Sequence, residues 1–311
     1  MLTGTRRPAP PARRRAEPPP PAGPGRLPNL LVIGAQKAGT TWLHKRLAEH
    51  PAILMSRKKE VNLFGDPRFE ARLDEYRANF PTTPGKVFYG ESTPGYFWTP
   101  DAEARWSDRF LNGNRDIAGS VLRVLGAETR LLVSLRHPVP RAVSALFHHF
   151  RRGRTTPGAR LMEFGRQFGI IDIGFYARHW RVWADTFGED APIVVLFDHI
   201  ARDPVGTLAA VLERLGLDPA GPASPEADHA GFRMRIRDAV LEIDPEVEGN
   251  RALAARWGCD LDAAPKVHAE DLAALHDVYR DDIAFCQARW CDAVGVDWTA
   301  PRRLEDLLTE R

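Results

Sequence analysis

A chain of 311 residues, 43% apolar and 27% charged, is long enough to bury a large α/β core, and a net charge of +2 excludes a bulk polyanion-binding surface and with it a nucleic-acid partner. The charge is uneven: residues 1–26 hold six Arg, one Glu and eight Pro, so they supply +5 and leave about −3 for the rest, which makes any anion site local. Cys259, Cys286 and Cys291 are too few for a disulfide framework, no run of 18 apolar residues could span a membrane, and no apolar core marks a signal peptide, so the expected compartment is a reducing cytoplasm.

In chain order, residues 1–26 read as a disordered Pro- and Arg-rich leader, and 27–311 as one α/β domain. Leu30-Leu31-Val32-Ile33 reads as a strand buried on both faces. Gly34 and Gly39 bracket a short loop, and Thr40-Thr41 open an amphipathic helix through Leu43 and Leu47 to His50. Strand, glycine loop and helix start make an anion cradle, because backbone N–H groups form a nest and the helix N-terminus adds its positive end. This is not the nucleoside-triphosphate loop G-x-x-x-x-G-K-[ST]. Thr40 stands where that lysine belongs, and the lysine of this loop, Lys37, lies inside it. G-x-x-K-x-G-T-T followed by Trp-Leu resembles the 5′-phosphosulfate loop of sulfotransferases that use 3′-phosphoadenosine 5′-phosphosulfate (PAPS). The resemblance implies that Gln36, Lys37, Ala38, Gly39, Thr40, Thr41 and Trp42 hold the donor, with Lys37 at the reacting centre.

A second short strand, Ala52–Met55, leads into Ser56-Arg57-Lys58-Lys59-Glu60-Val61-Asn62-Leu63-Phe64. By composition this is a solvated basic loop with a salt-bridged glutamate. Lys-Glu-x-x-x-Phe at this distance is similar to the carbohydrate (heparan sulfate-type) branch of the family, which makes Glu60 the implied base for the acceptor proton. Val87-Phe88-Tyr89 is a strand ending in Gly90-Glu91-Ser92-Thr93-Pro94-Gly95-Tyr96-Phe97. Many family members carry a lysine where Ser92 stands. Glu91 and Thr93 either line an acceptor cleft or build a structural turn on Pro94-Gly95.

Leu131–Leu135 is a buried strand that ends in Arg136, and His137-Pro138-Val139-Pro140 starts a helix on which Arg141, Ser144 and His148 share one face. A guanidinium at a strand end suits a forked grip on phosphate. R-x-P-x-x-R-x-x-S resembles the family's 3′-phosphate motif, which assigns that phosphate to Arg136 and Ser144. His148 and His149 stay open.

Gly174–Phe187 reads as a helix, with Tyr176 facing the cleft by analogy with a Gly-x-Tyr segment of the family. Ile193–Asp198 is a further buried strand, and its terminal Asp by itself suggests a magnesium-holding carboxylate. Asp203-Pro204 caps a helix over Val205–Leu215. Asp218–Asp228 reads as a loop. Arg233, Arg235 and Arg237 either close over a nucleotide or form a solvated basic stretch. Leu272, Leu275, Tyr279, Ile283, Cys286 and Trp290 form the core stripe of one terminal helix, which points Cys286 and Cys291 to different faces.

The expectation is a three-layer α/β fold with a mostly parallel central sheet, similar to the nucleotide kinases. The implied function is sulfuryl transfer from PAPS to a hydroxyl, less readily an amine, of a carbohydrate or small metabolite, with no metal. Two other readings remain: a magnesium-dependent phosphoryl-transfer enzyme, and a non-catalytic nucleotide-binding protein. Acceptor and oligomeric state leave no motif.

Overall fold

The computed structural model describes residues 25–99, 112–219 and 231–309. The expected leader therefore lies outside the described residues, apart from 25 and 26, and so does most of the 218–228 loop. Five strands form a parallel sheet: β1 (Leu30–Gly34), β2 (Ile53–Met55), β3 (Phe88–Ser92), β4 (Arg130–Leu135) and β5 (Pro192–Leu196), in the order β2-β3-β1-β4-β5. β1 is central and wholly buried. Its side chains alternate between two cores, as the period of two in a strand requires. Leu31 and Ile33 face one, Leu30 and Val32 the other.

Helices cover both faces. On the Leu30 side lie α1 (Thr40–Glu49), through Trp42, Leu43 and Leu47, and later in the chain a helix over Pro204–Arg214, through Leu208, Val211 and Leu212. The Leu31 side packs a larger set. It comprises α2 (Leu73–Arg77), α3 (Ile117–Leu125), α4 (Pro138–Arg151), α5 (Leu161–Phe164) and α6 (Tyr176–Phe187), with later helices joining below. α7 (Phe197–Arg202) follows β5 directly, and α8 is the Pro204–Arg214 helix, capped as expected by Asp203, which accepts from Gly206 N at 2.9 Å. Parallel strands buried on both faces and covered by helices are the three-layer α/β arrangement that the apolar runs predict.

A small antiparallel sheet, β6 (Met234–Arg237), β7 (Val240–Ile243) and β8 (Val267–His268), flanks α9 (Glu248–Trp257). Arg235 is spent on Glu242, Asp244 and Glu246, and Arg237 is exposed, so the alternating arginines are a solvated, partly neutralised strand face.

The single terminal helix is instead α10 (Ala269–Val278), α11 (Arg280–Cys286), a π-helical turn over Gln287–Cys291 and a 3₁₀ turn, before α12 (Asp306–Thr309). The wider π turn brings residues five apart round to nearly the same side. Cys286 and Cys291 are accordingly both buried in the same core and both free, rather than on different faces.

Candidate active site

In the order β2-β3-β1-β4-β5 the chain leaves β1 toward one edge and returns to β4 on the other side. The crevice at the carboxyl ends of β1 and β4 is the topological switch point where open α/β sheets bind ligands. The loop after β1 and the turn after β4 meet there.

The first of these is made of backbone. Lys37 has φ 69° and Gly39 φ 90°, left-handed conformations that turn successive N–H groups inward. At Gly39 a Cβ would lie 3.0 Å from Ile200 Cδ1 and 3.1 Å from Phe197 Cδ2, so glycine answers both the φ and the close packing. Ala35 N donates to Ser134 O at 2.6 Å, and the Ser134 hydroxyl donates to the Ala38 carbonyl, which fastens the loop to β4. α1 starts at Thr40 with no side-chain cap, so its first-turn N–H groups remain for a ligand. Gln36 Oε1 is buried without a partner. Ala38 and Thr40 are buried and Thr41 is exposed. Trp42 packs its indole into the core against β1, so only its backbone can reach a donor. An anion fits this frame.

Lys37 is half-buried, and no ion pair forms at its ammonium among the described residues. Its pKa is pulled from an ordinary 10.5 to about 8, first by burial and then by Arg151, Arg136 and Lys59, with Glu60 opposing. Three further cations, Arg151, Arg136 and Lys59, thus act on the loop lysine.

The second region is made of side chains. Arg136 follows β4, its guanidinium lies over the Phe197 ring at 4.5 Å, and its carbonyl accepts from the Tyr176 hydroxyl at 2.7 Å. His137 caps α4, with Nδ1 accepting from Val139 N at 3.2 Å, so its Nε2–H donates to Trp298 O at 3.0 Å. Burial, then Arg302, holds that imidazole down to about 3, hence neutral. Pro138 at the first helical position needs no N–H partner. Ser144 is half-buried two turns along. Arg141 is wholly buried and donates to the Ile170 carbonyl, so it serves the core rather than the crevice. Tyr176 is likewise wholly buried; it does not face a cleft but holds Arg136 from behind.

Beside these lies the 56–64 segment. Glu91 is wholly enclosed and accepts from the hydroxyls of Tyr76, Thr93 and Tyr96, the last at 2.8 Å, while burial raises its pKa. Glu91 and Thr93 are therefore a structural hub, not a cleft lining. The hub extends to the segment: Thr93 Oγ1 accepts from Asn62 N at 3.2 Å, Tyr96 Oη from Phe64 N at 3.2 Å, and Ser92 O from Glu60 N at 2.9 Å. These bonds, with buried Leu63 and Phe64 and partly buried Val61, hold Glu60 (φ 64°) and Asn62 (φ 55°) in left-handed conformations costing about 1–3 kcal/mol each. The Glu60 side chain is 57% exposed and accepts from Lys59 Nζ at 2.8 Å.

Sequence reasoning missed Lys59 and Arg151. Arg151 lies seven residues beyond Ser144, so extending the shared face of α4 by one turn finds it. Its Nη2 contacts His148 Nδ1 at 3.3 Å, and burial with Lys37 presses His148 down to about 2. His149 stacks on Phe168 at 5.0 Å. Asp198 is corrected: β5 stops at Leu196, and Asp198 belongs to α7, where its Oδ2 accepts from Trp298 Nε1 at 3.1 Å.

Comparison with known proteins bears on this geometry. The Sulfotransferase family profile matches residues 28–220. Heparan sulfate glucosamine 3-O-sulfotransferase 6 of Homo sapiens is 29% identical over 205 residues, covering 63% of this chain and 55% of its own length. Heparan sulfate glucosamine 3-O-sulfotransferase 3B1 of Mus musculus is 30% identical over 204 residues, covering 63% and 48%. The chain thus spans about half the length of these curated relatives. A sulfotransferase of known structure from Alicyclobacillus acidocaldarius shares the fold, with a TM-score of 0.53 at 22% identity over 82% of this chain and 96% of that one. The cytoplasmic expectation is overturned, since these heparan sulfate enzymes act in the Golgi lumen.

Proposed function

We infer the function from one premise: the chain belongs to the sulfotransferase family. It transfers a sulfuryl group from PAPS to an acceptor hydroxyl, most readily of a carbohydrate, with a small hydroxylated metabolite or an amine as lesser alternatives. The observation that carries this reading is the pair of cations at neighbouring strand ends. Lys37 lies in a backbone nest after β1 with no ion pair among the described residues, and Arg136 is braced after β4. PAPS offers a matching pair of anions, a phosphosulfate at the 5′ end and a phosphate on the 3′ carbon.

In this reading the loop N–H groups, Gln36, Thr40 and Thr41 bind the 5′ end. Lys37 offsets the charge developing on the oxygen that bridges phosphorus and sulfur, and Arg136 with Ser144 holds the 3′-phosphate. The acceptor oxygen bonds to sulfur as the bridging S–O bond breaks, Glu60 takes the acceptor proton, and adenosine 3′,5′-bisphosphate leaves. No divalent ion is required. The carboxylates nearest the role of an ion holder, Glu91 and Asp198, are committed to tyrosine, threonine and tryptophan donors. The carbohydrate acceptor is supported by the heparan sulfate named as the substrate of both relatives.

Labelled PAPS incubated with carbohydrate, small hydroxylated and amine acceptors in excess EDTA tests the proposal. One bisphosphate per sulfated acceptor is expected. Turnover of ATP that depends on Mg²⁺ would replace the reading with phosphoryl transfer, and bisphosphate binding without transfer to any acceptor would replace it with a binding protein.

A further inference from the structure

We propose that Lys59 is a second catalytic cation, holding the Glu60 carboxylate in the free protein and passing to the sulfuryl oxygens once the donor is bound. The proposal rests on the donor reading above. Its basis is geometric. In the basic run 57–59, Arg57 and Lys58 are exposed, whereas the Lys59 side chain is 21% exposed and ends 2.8 Å from Glu60 Oε1. The backbone on both sides is pinned, by Ser56 Oγ on Lys58 O at 3.0 Å and by Glu60 N on Ser92 O at 2.9 Å, so Lys59 projects from a fixed point. Its charge reaches the Lys37 ammonium in the loop and the His44 imidazole on α1, which burial and Lys59 together hold down to about 4. Lys59 is thus held against the base on a segment bonded to Ser92, the end of β3, which pairs in register with Val32 just before the loop. The neighbouring strand end supplies no charge there, because it carries Ser92, whose hydroxyl is buried without a partner.

A sulfuryl group in flight between a leaving phosphate and an attacking hydroxyl carries negative oxygens that face both sides. Lys37 serves the leaving side and Lys59 the attacking side. Releasing Glu60 as the ammonium turns to sulfur's oxygens frees the carboxylate to accept the acceptor proton at the moment it is needed.

The test is a pair of equilibrium titrations without acceptor. Lys59→Met should weaken PAPS binding by roughly 10–10²-fold, the value of one charge-assisted hydrogen bond, and leave adenosine 3′,5′-bisphosphate, which has no sulfuryl group, within twofold. Lys59→Arg should recover part of the loss. In a Glu60→Gln background, adding Lys59→Met should lower turnover further, since the lysine acts on the donor as well as on the base. Equal losses for both nucleotides, no loss for either, or no added effect beside Glu60→Gln would overturn the proposal. If wild type itself transfers nothing from PAPS, the donor reading fails instead, a distinct outcome.

Discussion

The loop after β1 and the turn after β4 each offer a cation to the same crevice, yet they are built by opposite means. The loop is local: two left-handed residues, a glycine under Phe197 and Ile200, and an uncapped helix start, all within eight residues. The turn depends on distant side chains, since Phe197 lies under the guanidinium, Tyr176 holds the carbonyl and Trp298 receives His137. Backbone donors survive every substitution except proline, while a braced guanidinium can be tuned from a distance. Under the proposed function, the loop would serve the transfer itself and the turn would select the donor.

The largest effect should come from the loop. Lys37→Ala is expected to lower turnover by about 10²–10³, the usual loss for one preorganised electrostatic donor. Single-turnover rates with saturating PAPS check it, and a variant above half the wild-type rate would end the comparison.

Arg136→Ala should act on selection instead. PAPS affinity should fall roughly 10–10²-fold, corresponding to about 1.5–3 kcal/mol for a charge-assisted contact, and the same donor lacking the 3′-phosphate should bind as before. Titrating both donors reads this directly, and equal losses would assign Arg136 to the fold or the 5′ end.

The charge of the loop is also open to pH. Lys37 titrates near 8 in the free protein, and a bound anion raises that value. Binding therefore takes up a proton above pH 8, so bisphosphate affinity should fall as pH rises, by at most about tenfold per unit. Calorimetry in buffers of different ionisation enthalpy measures the uptake, which Lys37→Ala should abolish.

The smallest change should be Tyr176→Phe. One neutral hydrogen bond behind Arg136 is worth about 0.5–1.5 kcal/mol, so affinity for PAPS should drop about two- to tenfold, with the donor lacking the 3′-phosphate spared. A matched loss for both donors would mean that the hydroxyl supports the core and not the grip.

The same contrast explains what the chain reveals before folding. Gly34 to Thr41 spells out its conformation because glycine, lysine and hydroxyl positions are the structure. The helix start at Pro138 is legible for the same reason, as is the sheet from its apolar runs. Tyr176 misleads, because its hydroxyl finds a carbonyl 40 residues earlier and no local pattern encodes that pairing. Glu91 resembles a cleft residue until three hydroxyls from Tyr76, Thr93 and Tyr96 are seen to enclose it. Asp198 looks like an ion holder because the end of β5 at Leu196 cannot be read from an apolar run that continues into Phe197. Lys59 hides in a run of basic residues of which Arg57 and Lys58 are exposed.

Trp298 has a practical implication for anyone who would shorten this protein. The family profile ends at residue 220, and that boundary invites a minimal fragment cut there. Such a fragment keeps every motif and yet discards the carbonyl that receives His137 and the indole that occupies Asp198. It also discards Tyr279, which donates to the Ile171 carbonyl at 2.6 Å behind Tyr176. A gene fusion or directed-evolution library drawn from the motif boundaries would separate the recognisable catalytic sequence from the scaffolding that gives it shape.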